Sequence, residues 1–376
     1  MTTTKTSHLK RRQEKLAQAL GEKGLDAIAL NPGPSLPYLT GLHFHLSERP
    51  VVVFFSPEQA PIIVLPELEM RKLDDLPYDV RAFSYGENPA KWSRSFRDAL
   101  EAGRWTRGRI GVEPRALRFL EMELLQEAAP QASFVAAADV IAALRMRKDE
   151  SEIAAMQQAV DIAQAAIRAT IPKIKPGVTE QEIASELVIQ LIRHGSEPKL
   201  PFFPIVSAGP NSANPHAAPG NRAMTLGDML VIDWGANVNG YCSDITRTFA
   251  LGEVDQDLIQ IAEIVKAANA AGHQIAGPGV PASKVDQAAR AVIEEAGYGS
   301  FFTHRTGHGL GLEGHEEPYL HGESETILEE GMTFTIEPGI YLPGRGGVRI
   351  EDDVVVTAEG VNSLTTLPRS LHILEV

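Results

Sequence analysis

The sequence predicts a mixed α/β (α+β) protein of two domains. A small α/β domain spans residues 1–145, and a larger domain of two pseudo-symmetric halves spans residues 146–376. Three observations carry this reading. At 376 residues the chain exceeds a usual single domain. Short β-prone runs alternate with helical stretches through the first 145 residues. From Arg147-Lys-Asp-Glu-Ser-Glu-Ile153 onward the texture turns to long helical periodicity, and one layout then occurs twice.

In the first domain, residues 8–23 have the pattern of an amphipathic helix, with Leu9, Leu16 and Leu20 on one side. Strand-like runs follow at residues 27–30, 51–55 and 61–65, interleaved with helical stretches at residues 92–102 and 115–128. Residues 35–50 read as an irregular loop carrying His43, His45 and Arg49, and long loops of that kind are more often functional than idle. No catalytic constellation falls within this domain.

The duplication is visible in the second. Lys175-Pro-Gly-Val178 opens a helical pattern ending at Gly195, and Gly277-Pro-Gly-Val280 opens another ending at Gly297; 279−177 and 297−195 both give 102. Ile183 and Leu187 correspond to Val285 and Ala289. The β-prone runs ending at Asp233 and Glu337 each place a carboxylate six residues after a glycine, Gly227 and Gly331. A second carboxylate follows in each half, Asp244 after 11 residues and Glu351 after 14. Halves so related would pack with their acidic strands converging, as a duplicated domain and not a solenoid.

The first acidic pair lies on a hairpin. An apolar run at residues 229–234 is interrupted by Asp233, Asn239-Gly240 is a strong turn signal, and residues 241–249 form a second β-prone run. Folding about the turn brings Asp233 and Asp244 within a residue or two of facing each other. Two such carboxylates repel and are costly to desolvate unless a cation neutralises them. Taken alone, the stretch also reads as a polar-faced hairpin with an aspartate capping a turn.

Composition narrows the partners. A formal net charge of −14 argues against a general nucleic-acid binder. The single cysteine, Cys242, excludes an intrachain disulfide framework and fits a reducing compartment. The chain has no apolar run of about 18 residues, and its N-terminus lacks an apolar signal-peptide region, so a cytoplasmic protein without a membrane partner is expected.

Asp233, Asp244, His308, Glu337 and Glu351 stand out as potential metal ligands, because carboxylates embedded in β-prone runs are expensive when unpaired. Four carboxylates and one imidazole exceed the needs of one structural zinc. They suit two divalent ions sharing bridging carboxylates, with oxygen-rich ligation favouring Mn²⁺ and permitting Co²⁺, Fe²⁺ or Zn²⁺.

The order Asp, Asp, His, Glu, Glu, in the contexts VIDWGA, SDITRTF, HRTGHGLG, TIEPGIY and VRIEDD, resembles the pita-bread metallopeptidases. These include methionine aminopeptidase, Xaa-Pro aminopeptidase and Xaa-Pro dipeptidase (prolidase). The match covers roughly residues 150–376, and residues 1–145 resemble the extra domain of the Xaa-Pro branch, with roles in substrate access and dimerisation. Creatinase-type hydrolases share the fold but lack the ligands, all of which are present here.

The resemblance implies that Asp233 binds one ion, that His308 and Glu337 bind the other, and that Asp244 and Glu351 bridge both. In the reaction expected of such a centre, Glu337, beside the activated water, serves as proton shuttle to the imino leaving group. The resemblance also implies that His216, His304 and His315 contact substrate or transition state, and that Arg349 lies near the metals with Tyr341 as a hydrogen-bonding or proline-pocket residue. One departure stands out. Many Xaa-Pro enzymes carry a substrate-binding arginine between the positions of His315 and Glu337, and residues 316–330 contain none. Arg49 is the first candidate to replace it, reaching across a homodimer. The expected function is hydrolysis of the Xaa-Pro bond at the N-terminus of short proline-containing peptides, leaning to the dipeptidase. The alternatives are an Xaa-Pro aminopeptidase on longer peptides, a methionine aminopeptidase, and an inactive peptide-binding module.

Overall fold

A computed structural model describes residues 2–375. The chain divides into two compact units, Met1–Arg145 and Met146–Val376.

In the first unit, a six-stranded sheet runs in the order Arg81–Tyr85, Ile62–Pro66, Val52–Phe55, Ala27–Leu30, Arg109–Val112, Ser133–Ala136. Val52–Phe55 is antiparallel to both neighbours, and the other pairs are parallel. The central strands Ala27–Leu30, Val52–Phe55 and Ile62–Pro66 are buried at every position, which explains their unbroken apolar sequence. The expected N-terminal helix spans Thr2–Glu22 and buries Leu9, Leu16 and Leu20.

Two expectations are corrected here. Residues 35–50 are not loop throughout: Ser35–Thr40 is a helix, capped by Gly41 at φ 73°. Pro37 falls in its first turn, where a missing N–H costs nothing, and Leu36, Tyr38 and Leu39 are buried. The helix expected over residues 115–128 begins only at Phe119. Ahead of it, the N–H groups of Ala116 and Leu117 turn back onto the Glu113 carbonyl.

The duplication of the second unit shows in its helices. Glu180–Arg193 and Ala282–Glu295 have 14 residues each, and their starts differ by 282−180 = 102. Each is preceded by a long helix, Glu150–Thr170 or Gln256–Ile275. Capping boxes start the two helices of the first half, Asp149 with Glu152 and Thr179 with Glu182. The first half carries a sheet in the order His372–Leu374, Ile245–Leu251, Met229–Trp234, Ile205–Ala208. The second carries Glu316–Leu320, Gly307–Gly309, Thr333–Ile336, Asp352–Thr357, Gly360–Ser363. An antiparallel bridge, Thr246 to Glu351, ties the first half to the second, and Asp233, Asp244 and Glu351 gather beside it. The first sheet is anchored by Trp234, fully buried, whose indole N–H donates to the Ala163 carbonyl at 2.8 Å.

The β-run expected over residues 241–249 is also corrected. It is broken into Tyr241–Cys242 and Ile245–Leu251. Ser243 turns away to hold Ala236, its N–H donating to the Ala236 carbonyl at 3.0 Å and its hydroxyl accepting the Ala236 N–H at 3.0 Å. Among the described residues, no helix is long and apolar enough to cross a membrane.

Candidate metal centre

Each acidic side chain is placed by a local device. Asp233 is the next-to-last residue of Met229–Trp234 and stands opposite Thr246 in register. Asp244 sits in the break described above, where its N–H donates to Asp353 Oδ2 at 2.9 Å. The break passes so close to Gly235 that a Cβ there would lie 2.0 Å from the Ser243 carbonyl oxygen. His308 is the middle residue of Gly307–Gly309, and Cβ atoms on the flanking glycines would lie 1.9 Å and 2.2 Å from backbone oxygens of Thr335 and Glu317. Glu337 follows Thr333–Ile336, and Glu351 stands between Gly346–Arg349 and Asp352–Thr357.

These devices bring the expected five together. Ligand atoms of Asp233, Asp244 and Glu351 lie within 4.8 Å of one another, as do those of His308, Glu337 and Glu351. A third such group is Asp244, His308 and His315. His308 Nε2 is 3.3 Å from Glu337 Oε1 and 3.8 Å from Asp244 Oδ2. His308 Nδ1 faces the Gly309 carbonyl at 3.1 Å, which can only accept, so Nδ1 carries the proton and the Nε2 lone pair points to the carboxylates.

The centre is electrostatically unsatisfied. Oδ1 of Asp233 and Oδ1 of Asp244 are buried with no hydrogen-bond partner. Burial pushes the carboxyls of Asp233, Asp244 and Glu351 up, and Asp244 and Glu351 are raised further by the neighbouring carboxylates. Burial takes Glu337 to about 7. The His308 imidazole is held well below its usual range by burial and by His315. Among the described residues, Arg349 is the one arginine or lysine hydrogen-bonded to a side chain of the set, its Nη2 2.6 Å from Asp233 Oδ2. Divalent cations fit this donor set: bare buried oxygens, a lone-pair nitrogen and more acid than one arginine offsets.

The remaining expected residues fall around the centre in different ways. His315 stacks on His308 with ring centroids 3.7 Å apart. Its Nδ1 lies 3.3 Å from Nη2 of Arg305. His304 belongs to none of the ligand groups; it is linked to the centre through Tyr341, whose hydroxyl is 2.8 Å from His304 Nε2 and 3.1 Å from Arg349 Nη1. Burial lowers His304 to about 4. His216 is exposed, its N–H donating to Asn214 Oδ1 at 3.2 Å. Arg49 belongs to the first unit, where its guanidinium is bonded to Glu48 at 2.6 Å and Glu87 at 2.8 Å.

Sequence reasoning missed the supporting residues. The Thr246 hydroxyl donates to Glu351 Oε2 at 2.6 Å and accepts from Arg349 Nε at 3.0 Å. The Thr335 hydroxyl accepts the His308 N–H at 3.2 Å and donates to Glu337 Oε1 at 3.3 Å. Asp353 fixes the backbone of Asp244. Alternation within the strands was a usable signal for Thr335, two residues before Glu337 and therefore on the same face.

A buried set of four carboxylates and one neutral imidazole fits divalent cations, as a metal-dependent hydrolase requires. Comparison with known proteins narrows the class. Residues 154–358 match Metallopeptidase family M24, and residues 12–147 match the Creatinase/Prolidase N-terminal domain. The chain belongs to metallopeptidase family M24, in the prolidase branch of the pita-bread fold. It is similar to the Xaa-Pro dipeptidase of Pyrococcus furiosus, with 36% identity over 363 residues, 96% of this chain and 100% of that one. The crystal structure of a dipeptidase from Pyrococcus horikoshii OT3 superimposes with a TM-score of 0.90 at 41% identity, covering 96% of this chain and 100% of that one. A recombinant prolidase from Thermococcus sibiricus gives a TM-score of 0.92 at 34% identity, covering 97% and 99%.

Proposed function

We propose that this metallo-exopeptidase hydrolyses the bond between a first residue and a following proline, with Xaa-Pro dipeptides as its preferred substrates. The observation that carries the reading is the convergence of Asp233, Asp244, His308, Glu337 and Glu351 with buried, unpartnered carboxylate oxygens. Relatives named Xaa-Pro dipeptidase, matching over nearly their whole length, support the substrate class.

Asp233 would hold one ion, His308 and Glu337 the other, and Asp244 and Glu351 both, with Mn²⁺ suited to so many oxygen donors. Two such ions supply an activated water and polarise the scissile carbonyl. His315 donates a hydrogen bond to the carbonyl oxygen as negative charge develops on it. Glu337 carries a proton to the leaving imino nitrogen of proline. His216 contacts the scissile amide. Arg349 holds Asp233 in place, and Tyr341 relays between Arg349 and His304. The enzyme works in the cytoplasm as a homodimer.

A second reading, an Xaa-Pro aminopeptidase acting on longer peptides, is favoured by two observations. Residues 316–330 contain no arginine. Arg49, the expected substitute, is already bonded to two glutamates.

Mn²⁺-loaded enzyme assayed on Gly-Pro, Ala-Pro, Met-Pro and an Xaa-Pro-Xaa tripeptide separates these readings. The dipeptides should turn over efficiently and the tripeptide poorly. A preference for the tripeptide supports the second reading, and no cleavage of any of them contradicts both.

A further inference from the structure

Arg305 lies between His304 and Thr306, and nothing above assigns it a role. Its neighbours Arg290 and Arg349 are each bonded to a carboxylate. Among the described residues, no carboxylate lies within ion-pair distance of Arg305. Its guanidinium carbon instead sits over the Tyr319 ring, 4.2 Å from the centroid, a cation–π contact.

The backbone around it is pinned from both sides. Arg290 donates to the carbonyls of Phe302 and His304 at 3.0 Å and 2.8 Å. Asp286 Oδ1 accepts from the Thr306 N–H at 2.9 Å and from the Thr306 hydroxyl at 2.8 Å. So placed, Arg305 touches both of the histidines that flank the centre. Its carbonyl oxygen lies 2.8 Å from His304 Nδ1, and its Nη2 lies 3.3 Å from His315 Nδ1.

The two contacts have opposite chemistry. A carbonyl oxygen only accepts, so His304 must carry its proton on Nδ1. That leaves Nε2 to accept from the Tyr341 hydroxyl, whose oxygen in turn accepts from Arg349. A guanidinium only donates, so His315 must leave Nδ1 bare and carry its proton on Nε2. A histidine in that form is a neutral hydrogen-bond donor, which is what a developing oxyanion requires.

We propose that Arg305 is a positioning residue that sets the two histidines in opposite tautomers, His304 as an acceptor on Nε2 and His315 as a donor on Nε2. It acts through them and need not touch the substrate. The consequence for catalysis rests on the peptidase reading above; the tautomers themselves do not.

The direct test is ¹⁵N spectroscopy of histidine-labelled protein, in metal-free and Zn²⁺-loaded forms, with His304→Ala and His315→Ala giving the assignments. Wild type should show an unprotonated Nδ1 on His315 and a protonated Nδ1 on His304. Arg305→Ala should mix the His315 tautomers and leave His304, held by a backbone carbonyl, as it was. In the loaded enzyme the same variant should lower kcat by about tenfold or more with KM little changed. That is part of the roughly 10²–10³-fold a whole oxyanion donor contributes. The loss should be equal on an Xaa-Pro dipeptide and its C-terminal amide, and Arg305→Lys, which keeps a donor, should recover much of it. A protonated Nδ1 on His315, or a tautomer unmoved in Arg305→Ala, overturns the proposal. So does a loss confined to KM and to the free-acid substrate, which would make Arg305 a carboxylate anchor instead. If wild type cleaves no Xaa-Pro peptide, the peptidase reading fails, and the spectra still decide the tautomers.

Discussion

Arg349 and Asp233 form a buried pair, Nη2 to Oδ2 at 2.6 Å, at the edge of a cluster that otherwise holds only acids and a neutral imidazole. The same guanidinium reaches Thr246 and Tyr341, so one side chain ties the strand of Asp233 to the contacts of Glu351 and His304. Without ions it is the main offset to the acidic charge. Arg349→Ala should therefore destabilise the chelated protein by about 3–5 kcal/mol, the cost of stranding one partner of a buried pair. In the metal-loaded protein the loss should be smaller. Urea unfolding of both forms measures this, and equal small losses would show that Arg349 carries no such load.

The histidines outside the ligand set should separate from the ligands experimentally. His216→Ala or His315→Ala should keep the bound metal and lower kcat/KM by about 10²-fold or more if each acts on the transition state. Metal analysis beside kinetics checks it. Loss of metal in His315→Ala would move that residue into the ligand shell, where its proximity to Asp244 and His308 gives it the geometry to serve.

The metal-free protein should become less stable as pH rises. Its acidic cluster has carboxyls raised above their unfolded values, Glu337 to about 7. A carboxyl raised in the folded state contributes stability that is fully present below its unfolded pKa. That stability is lost as pH climbs through the folded value. Bound cations remove the penalty. The Tm gap between loaded and chelated protein should therefore widen from about pH 5 to about pH 8. A gap that narrows over that range contradicts the assignment of these carboxylates to a cation site.

Substrate length should turn on Arg49. If it grips the terminal carboxylate of a dipeptide, it must leave Glu48 and Glu87 to do so. Arg49→Ala should then lose about tenfold or more in kcat/KM on an Xaa-Pro dipeptide and little on the C-terminal amide. Equal losses on both substrates would remove Arg49 from substrate binding.

What was legible in the sequence, and what was not, follows from the range of the forces involved. The clustering of the four carboxylates could be read because carboxylates in apolar β-runs violate the burial rule, and the violation is local. The duplication could be read because its period is preserved in helix length as well as in pattern. The break at Ser243 could not, since it depends on a backbone contact with Ala236 across the hairpin and on Asp353, more than 100 residues away. Thr246 looked like an ordinary strand threonine until pairing placed it against Glu351. Arg305 was hidden for the same reason: its partner His315 lies on a loop ten residues downstream, and no periodicity relates them. The helix at Ser35–Thr40 was missed because Pro37 reads as a breaker, although it sits in the one turn that tolerates it.

Two ions bridged by Asp244 and Glu351 would make this centre a peptidase. The most direct measurement titrates Mn²⁺ into chelated protein while following both bound metal and cleavage of an Xaa-Pro dipeptide, with Asp244→Ala and Glu351→Ala beside wild type. Activity should rise to a plateau at two ions per wild-type chain, and either folded variant should fail to hold the pair and show no turnover. A wild-type plateau at one ion, or an inactive variant that still binds two, would contradict the bridged pair.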